Sequence, residues 1–122
     1  MRPRFILDEQ LRGLAWKAIS RHNHGGGLCL DVTRVADAES PRLGTKDPEL
    51  LVWAQTAGRI VISDDRSTMC SHFEAHLAKG RHAPGLFLLR RDVGLLAFVR
   101  FLEAVAHASD AEEWVDRIQF IP

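Results

Sequence analysis

The chain has 122 residues, which suffices for one compact domain and leaves little room for a second. Sixteen basic and sixteen acidic residues cancel, which excludes a global attraction to nucleic acid or to an anionic membrane, so a polyanion would need a local basic patch. With 46% hydrophobic and 26% charged residues, the composition is that of a folded globular protein rather than a disordered one. We therefore predict a single domain over residues 1–122.

The first residues and the cysteines are typical of a cytoplasmic protein. In the N-terminal sequence MRPRFILDEQ, charge returns after three apolar residues, which is too short for a signal-peptide core or a membrane span. Cys29 and Cys70 fall in apolar segments, where we expect small core residues with reduced thiols. We expect a cytoplasmic protein that does not enter the membrane.

In chain order, the first half of the sequence predicts two strands and a helix. An apolar strand at residues 4–7 precedes a helix, and the glycine-containing stretch RHNHGGG, residues 21–27, predicts a surface loop before a second strand at residues 28–35. Apolar residues of this helix recur at positions i, i+3, i+4, i+7 and i+8, which predicts one buried face. They are Leu11, Leu14, Ala15, Ala18 and Ile19.

The second half continues this alternation. A helix opened by Asp47 leads through Gly58 into a strand at residues 59–63, and a helix marked by Met69 and Phe73 follows. A strand is predicted next, at residues 86–90. A helix follows over about residues 92–106; it is apolar nearly all round and expected to be well buried. The chain ends with a fifth predicted strand at residues 117–121. Strands alternating with helices predict a three-layer α/β/α domain with a mainly parallel sheet of four to five strands.

Three acids from distant parts of the sequence are expected at one edge of this sheet. Asp8 directly follows the first strand, and Asp64 and Asp65 follow the third. Asp47 opens the helix that runs antiparallel to the third strand, and its eleven residues span about 16 Å at roughly 1.5 Å each, close to the length of the strand. Because ligands bind at the carboxyl ends of parallel strands, this edge is the predicted site.

The chemistry of this edge admits two interpretations. Crowded carboxylates raise one another's pKa, and a hard divalent cation such as Mg²⁺ or Mn²⁺ relieves the repulsion. Such an ion can activate water and orient a phosphodiester. Alternatively, each acid stands where a helix N-cap belongs, and Asp47 followed by Pro48 is close to the preferred cap sequence. One carboxylate can also do both.

The segments FILDEQL, TKDPELLVWAQTAGRIVISDDRSTM and APGLFLLR together resemble the small PIN-like domains of toxin-type (VapC-like) nucleases. The resemblance covers nearly the whole chain and implies a compact PIN fold with metal-dependent ribonuclease activity. Position by position, it implies that Asp8, Asp47 and Asp65 are the catalytic and metal-binding acids. Ser63 stands where that family usually has threonine, and Ser67 stands where many relatives carry a further acid.

The resemblance also implies roles for neighbouring residues and for partners. Further metal ligands are expected among Glu9, Glu49 and Asp64, without a basis for choosing one. Candidates for holding the phosphate or the RNA are Ser63, Arg66, Ser67 and Arg90; Ser67 and Thr68 are alternatively caps of the third helix. The implied activity is that of the toxin of a toxin–antitoxin pair, with RNA as substrate, an antitoxin as partner, and the apolar fourth helix as a possible homodimer interface.

Two other functions fit the same pattern. A non-catalytic binding module would keep the fold without the metal, and Ser67 in place of an acid favours it. A receiver-like phospho-acceptor domain also gathers acids at the carboxyl ends of parallel strands. It needs a lysine after its last strand, however, and this interpretation places Arg90 and Arg91 there instead.

Overall fold

A computed structural model describes all 122 residues as one sheet enclosed by helices. The strands are β1 (Phe5–Leu7), β2 (Val32–Arg34), β3 (Ile60–Ser63), β4 (Leu86–Leu89) and β5 (Ile118–Ile121). The helices are α1 (Leu14–His24), α2 (Asp47–Ala57), α3 (Arg66–Ala78) and α4 (Leu95–Ala108), with short 3-10 helices at Glu9–Leu11 and Ala111–Trp114. No helix combines the length and the apolar character that crossing a membrane requires.

All five strands are parallel and lie in the order β2-β1-β3-β4-β5. The predicted α/β class, the parallel sheet and the fifth strand are confirmed. This order is a common one for doubly wound sheets, in which the direction of winding reverses between β1 and β3. The crevice at the carboxyl ends of those two strands is where such sheets bind ligands, and Asp8 and Asp65 follow these strands.

The sheet is buried on both faces, which makes the three layers. Successive side chains of a strand point to opposite faces, so Phe5 and Leu7 belong to the hydrophobic core beneath α1 and α4. Ile6 and Val61 point the other way, into a second core with residues of α2 and α3. Burial on both faces explains why these strands are continuous apolar runs rather than alternating ones.

The predicted surface loop at residues 21–27 begins later in the structure. Residues Arg21 to His24 belong to α1, and only the glycines continue into the loop. Asn23 explains the extra helical turn because its side-chain amide both donates to and accepts from the backbone of Leu30, at 2.9 and 2.8 Å. The second strand is correspondingly shorter than predicted.

Burial differs from the prediction at several apolar positions. Leu14, the first residue of α1, is 69% exposed, and the helix packs through Ala15 and Ile19 instead. Cys29 is exposed and Cys70 is half-buried, so neither is the small core residue predicted. The fourth helix packs through one face only, and Leu96 on its first turn is 64% exposed.

Candidate functional site at the carboxyl edge of the sheet

Asp8 is held at the end of β1 by two hydrogen bonds to its carboxylate. One oxygen, Oδ1, accepts from the backbone N–H of Glu9 at 2.8 Å and caps the short 3-10 helix. The other, Oδ2, accepts from the hydroxyl of Ser63 at 3.1 Å. Burial raises the pKa of Asp8 above its usual value; the two hydrogen bonds oppose that shift, and the neighbouring charges of Asp47 and Glu9 add to it. Asp8 is thus both the cap of the 3-10 helix and a half-buried carboxylate close to two other acids.

Ser63 joins the ends of the two central strands. Its side chain is fully buried, and its hydroxyl oxygen donates to Asp8 and accepts from the backbone N–H of Asp65 at 3.1 Å. Both bonds are internal, which argues against the predicted contact between Ser63 and a phosphate. We assign Ser63 instead a positioning role, which the sequence analysis missed.

Asp65 caps α3, as the capping interpretation predicted. Its Oδ1 accepts from the backbone N–H of Thr68 and from the hydroxyl of Ser67, each at 3.2 Å, whereas Oδ2 accepts no hydrogen bond. Ser67 and Thr68 therefore do not cap the helix with their own side chains. The free Oδ2 leaves Asp65 able to bind a ligand without giving up the cap.

Asp47 is not the N-cap of α2, which contradicts the capping interpretation of this residue. Lys46 occupies the cap position with extended backbone, so Asp47 is the first residue of α2 and Pro48 the second. The carboxylate of Asp47 forms no hydrogen bond or ion pair. Its pKa is raised by burial first and then by the charges of Asp65 and Glu9, while His72 lowers it. A half-buried carboxylate without a partner is the feature of this edge that capping does not explain.

The structure brings Asp8, Asp47 and Asp65 to one edge, close enough that Asp47 influences the protonation of Asp8 and is itself influenced by Asp65. No three Asp, Glu, His or Cys side chains, however, are arranged as ligands of one metal ion. The donor set suits a hard cation, because it consists of oxygens and because both oxygens of Asp47 and one of Asp65 accept no hydrogen bond. The predicted metal site stays a prediction.

The three further acids occupy different positions. Glu9 accepts a hydrogen bond from the backbone N–H of Gly44 at 3.1 Å and so fastens the segment that leads into α2. Glu49 is exposed on the first turn of α2. Asp64 points a buried Oδ1 into the protein without a hydrogen-bond donor. Among these acids, only Asp64 has a buried oxygen that lacks a partner.

A cavity of about 690 Å³ adjoins the acids at the carboxyl ends of β3, β4 and β5. Arg66 and Arg90, predicted near this rim, both line it, and Arg91 joins them. The guanidinium of Arg90 lies 5.1 Å from the ring centroid of Phe120. The sequence analysis did not predict Arg91 and Phe120 as part of this site. The sequence features that could have indicated them are the pair of arginines after β4 and the aromatic residue on β5.

Comparison of the chain with models of known protein families, with curated proteins and with solved structures gives no match. The resemblance to PIN-like domains accordingly stands on the three sequence segments that carry it.

Proposed function

We propose that this protein is a metal-dependent ribonuclease whose acidic edge, formed by Asp8, Asp47 and Asp65, binds Mg²⁺ or Mn²⁺ and hydrolyses RNA phosphodiesters. The observation that carries the proposal is the carboxylate of Asp47, which is half-buried, raised in pKa and without a partner, beside two further acids. A divalent cation would offset the burial of this carboxylate and its repulsion by Asp65 and Glu9, which together raise its pKa. None of the existing hydrogen bonds of Asp8 or Asp65 has to break for an oxygen lone pair to become a ligand.

The chain's own residues support hydrolysis in two ways. Ser63 fixes Asp8 and the backbone of Asp65 relative to each other across the sheet. Arg66 and Arg90 line the adjoining cavity, where they would bind phosphates on either side of the bond that is cleaved. A divalent cation held by Asp8, Asp47 and Asp65 would supply an activated water and neutralise charge in the transition state, so no side-chain nucleophile would be needed.

The test is cleavage of single-stranded RNA with Mn²⁺ and with EDTA, together with calorimetric titration of Mn²⁺. Asp47→Asn is the sharpest variant, because Asp47 forms no hydrogen bond and the amide should leave the fold unchanged. We expect activity to fall about 100-fold or more, since several kcal/mol of charge stabilisation would be lost. Glu74→Gln, an exposed change two turns along α3, is the matched control and should retain activity. Cleavage that survives EDTA, or an Asp47→Asn variant of full activity, would refute the proposal.

A non-catalytic RNA-binding module is the second candidate. It is favoured by the absence of three side chains arranged as metal ligands and by Ser67 in place of an acid. In that case RNA would bind equally well with and without Mn²⁺ and would not be cleaved.

The phospho-acceptor alternative shares the sheet order β2-β1-β3-β4-β5. The structure corrects one part of that comparison: Arg90 and Arg91 follow β4 rather than the last strand, and Pro122 follows β5. Neither position carries a lysine. Stable phosphorylation of the chain by a small-molecule phosphodonor would favour this function over hydrolysis of RNA.

A further inference from the structure

The cavity beside the acidic edge carries three arginines that lack an acidic partner. Arg66, Arg90 and Arg91 line it, and none of them forms a salt bridge. All three residues are exposed, so their N–H groups can reach a ligand. Three aspartates lie on the same lining, however, so charge alone gives little net attraction for an anion. A ligand for this cavity should therefore combine an anionic group with a second source of binding energy.

One wall of the cavity, next to these arginines, is apolar. Phe120 of β5 lies opposite Leu88 of β4 in the sheet, and both residues line the cavity. Phe120 belongs to an edge strand and is only half-buried. The cavity volume of about 690 Å³ lies within the range of roughly 300–1,000 Å³ that is usual for small-molecule sites. There is therefore room for a flat ring system beside an anionic group.

Arg90 connects the apolar wall with the charged part of the cavity. Its guanidinium lies over the ring of Phe120, 5.1 Å from the ring centroid, and this contact favours one position of an otherwise exposed side chain. A guanidinium is planar, so its face can stack on a ring while its N–H groups bind a phosphate. Unstacked RNA bases commonly stack on arginine planes. Arg90 can thus bind a base and still contact a phosphate.

We propose that this cavity binds one nucleotide of the RNA, with its base stacked on the guanidinium of Arg90. Phe120 holds that guanidinium in place, and Arg66 and Arg91 bind the flanking phosphates. Every base has a flat face, so the stacking tolerates all four bases. Because Asp65 also lines the cavity, the nucleotide lies beside the acids of the proposed nuclease. This inference rests on the proposed function for its substrate, but its first test requires neither metal nor cleavage.

The test is an NMR titration of the isotope-labelled whole chain in EDTA, with AMP and with ribose 5-phosphate as ligands. Both ligands carry the same phosphate on the same sugar, so the difference between their affinities measures the contribution of the base. We expect AMP to bind about fivefold or more tightly than ribose 5-phosphate, because base stacking adds to phosphate binding. The largest shift changes should fall on the amides of Arg90, Arg91 and Phe120.

Two substitutions separate stacking from charge. Arg90→Lys keeps the charge but removes the guanidinium plane, so it should abolish the preference for AMP while changing the affinity for ribose 5-phosphate far less. Arg91→Gln removes a charge and leaves the stack, so it should weaken the binding of both ligands alike. Arg100→Lys, at an exposed residue of α4 outside the cavity, is the matched control and should keep the preference for AMP. Circular dichroism and thermal unfolding establish that each variant is folded.

Equal affinities for AMP and ribose 5-phosphate, no binding of either, or an Arg90→Lys variant that keeps the preference for AMP would overturn the assignment. The pentaribonucleotide UUAUU distinguishes a nucleotide within RNA from a free nucleotide. Tighter binding of UUAUU than of AMP supports the former, whereas AMP binding at least as tightly would overturn that part. The two proposals fail separately. AMP binding with intact RNA would end the nuclease proposal alone, and RNA cleavage without the preference for AMP would end the stacking site alone.

Discussion

Replacing Ser63 with valine and with threonine should separate the hydrogen bonds of this residue from its packing. Ser63 is fully buried at the end of β3, and its hydroxyl forms one bond to the carboxylate of Asp8 and one to the backbone N–H of Asp65. Valine and threonine are both β-branched and nearly equal in volume. They differ chiefly in that threonine keeps the hydroxyl, so any strain from the added methyl group is common to the pair.

The expected difference follows from the two bonds. A hydrogen bond between neutral groups contributes about 0.5–1.5 kcal/mol and one to a charged group about 1.5–3 kcal/mol, so Ser63→Val should be less stable than Ser63→Thr by roughly 2–4 kcal/mol. For a domain of this size, each kcal/mol changes the midpoint of thermal unfolding by about 4 °C. The valine variant should therefore melt about 8–16 °C below the threonine variant.

Urea unfolding followed by tryptophan fluorescence measures this difference, and its pH dependence provides a second check. The hydroxyl of Ser63 lowers the pKa of Asp8, so it stabilises the ionised carboxylate. The gap between the two variants should narrow as the pH falls through the pKa of Asp8 in the folded protein, because the protonated acid needs the hydroxyl less. Equal stability of the two variants at pH 7 would refute the role assigned to Ser63.

Two further predictions concern charge and backbone geometry. Folding raises the pKa of Asp47 above 3.8, so the protonated carboxyl group favours the folded state. This contribution to the free energy of unfolding is fully present below about pH 3.8 and is lost as the pH rises through the pKa of the folded protein. Asp47→Asn should therefore gain stability relative to wild type between acid and neutral pH in urea titrations, and a constant difference would contradict this. Gly85→Ala should lower stability by about 2–4 kcal/mol, because φ there is +142° and a Cβ would approach the carbonyl oxygen of Trp114 to 2.9 Å. Gly94→Ala, where a Cβ meets nothing within 4 Å, is its control in thermal unfolding and should change stability by less than about 1 kcal/mol.

The fold was predictable because its central strands, β1, β3 and β4, are almost completely buried. Runs such as Leu86–Leu89 are apolar without interruption, and helices separate the successive strands, which leaves a parallel sheet as the consistent arrangement. Strand order was not predictable in the same way, because it depends on which helices cover which face. The exposure of Leu14 shows a related limit, since periodicity identifies the packing face of a helix but not which residues of that face are covered.

At the site, topology was predictable and side-chain geometry was not. The carboxyl ends of all strands share one edge of a parallel sheet, and Asp8 and Asp65 lie at that edge as predicted, after the paired strands β1 and β3. The hydroxyl that links them, and the cap at Lys46 rather than Asp47, depend on local dihedral angles that residue spacing does not encode. The burial of one Asp64 oxygen was equally unpredictable, because the sequence does not show which of two adjacent acids points into the protein.

The structural and functional roles of the acids divide between the oxygens of each carboxylate. At Asp65, Oδ1 accepts from the first turn of α3, while Oδ2 is left without a hydrogen bond. Helix capping thereby fixes the orientation of the free oxygen, and the same bonds that stabilise α3 prepare the group for a ligand. Asp47 lacks such bonds, and its pKa is raised by burial and by the neighbouring acids, so it should respond most to an added cation. Capping and ligand binding at this edge are therefore complementary. Asp47, the acid that caps no helix, is the residue whose substitution tests the proposed function most directly.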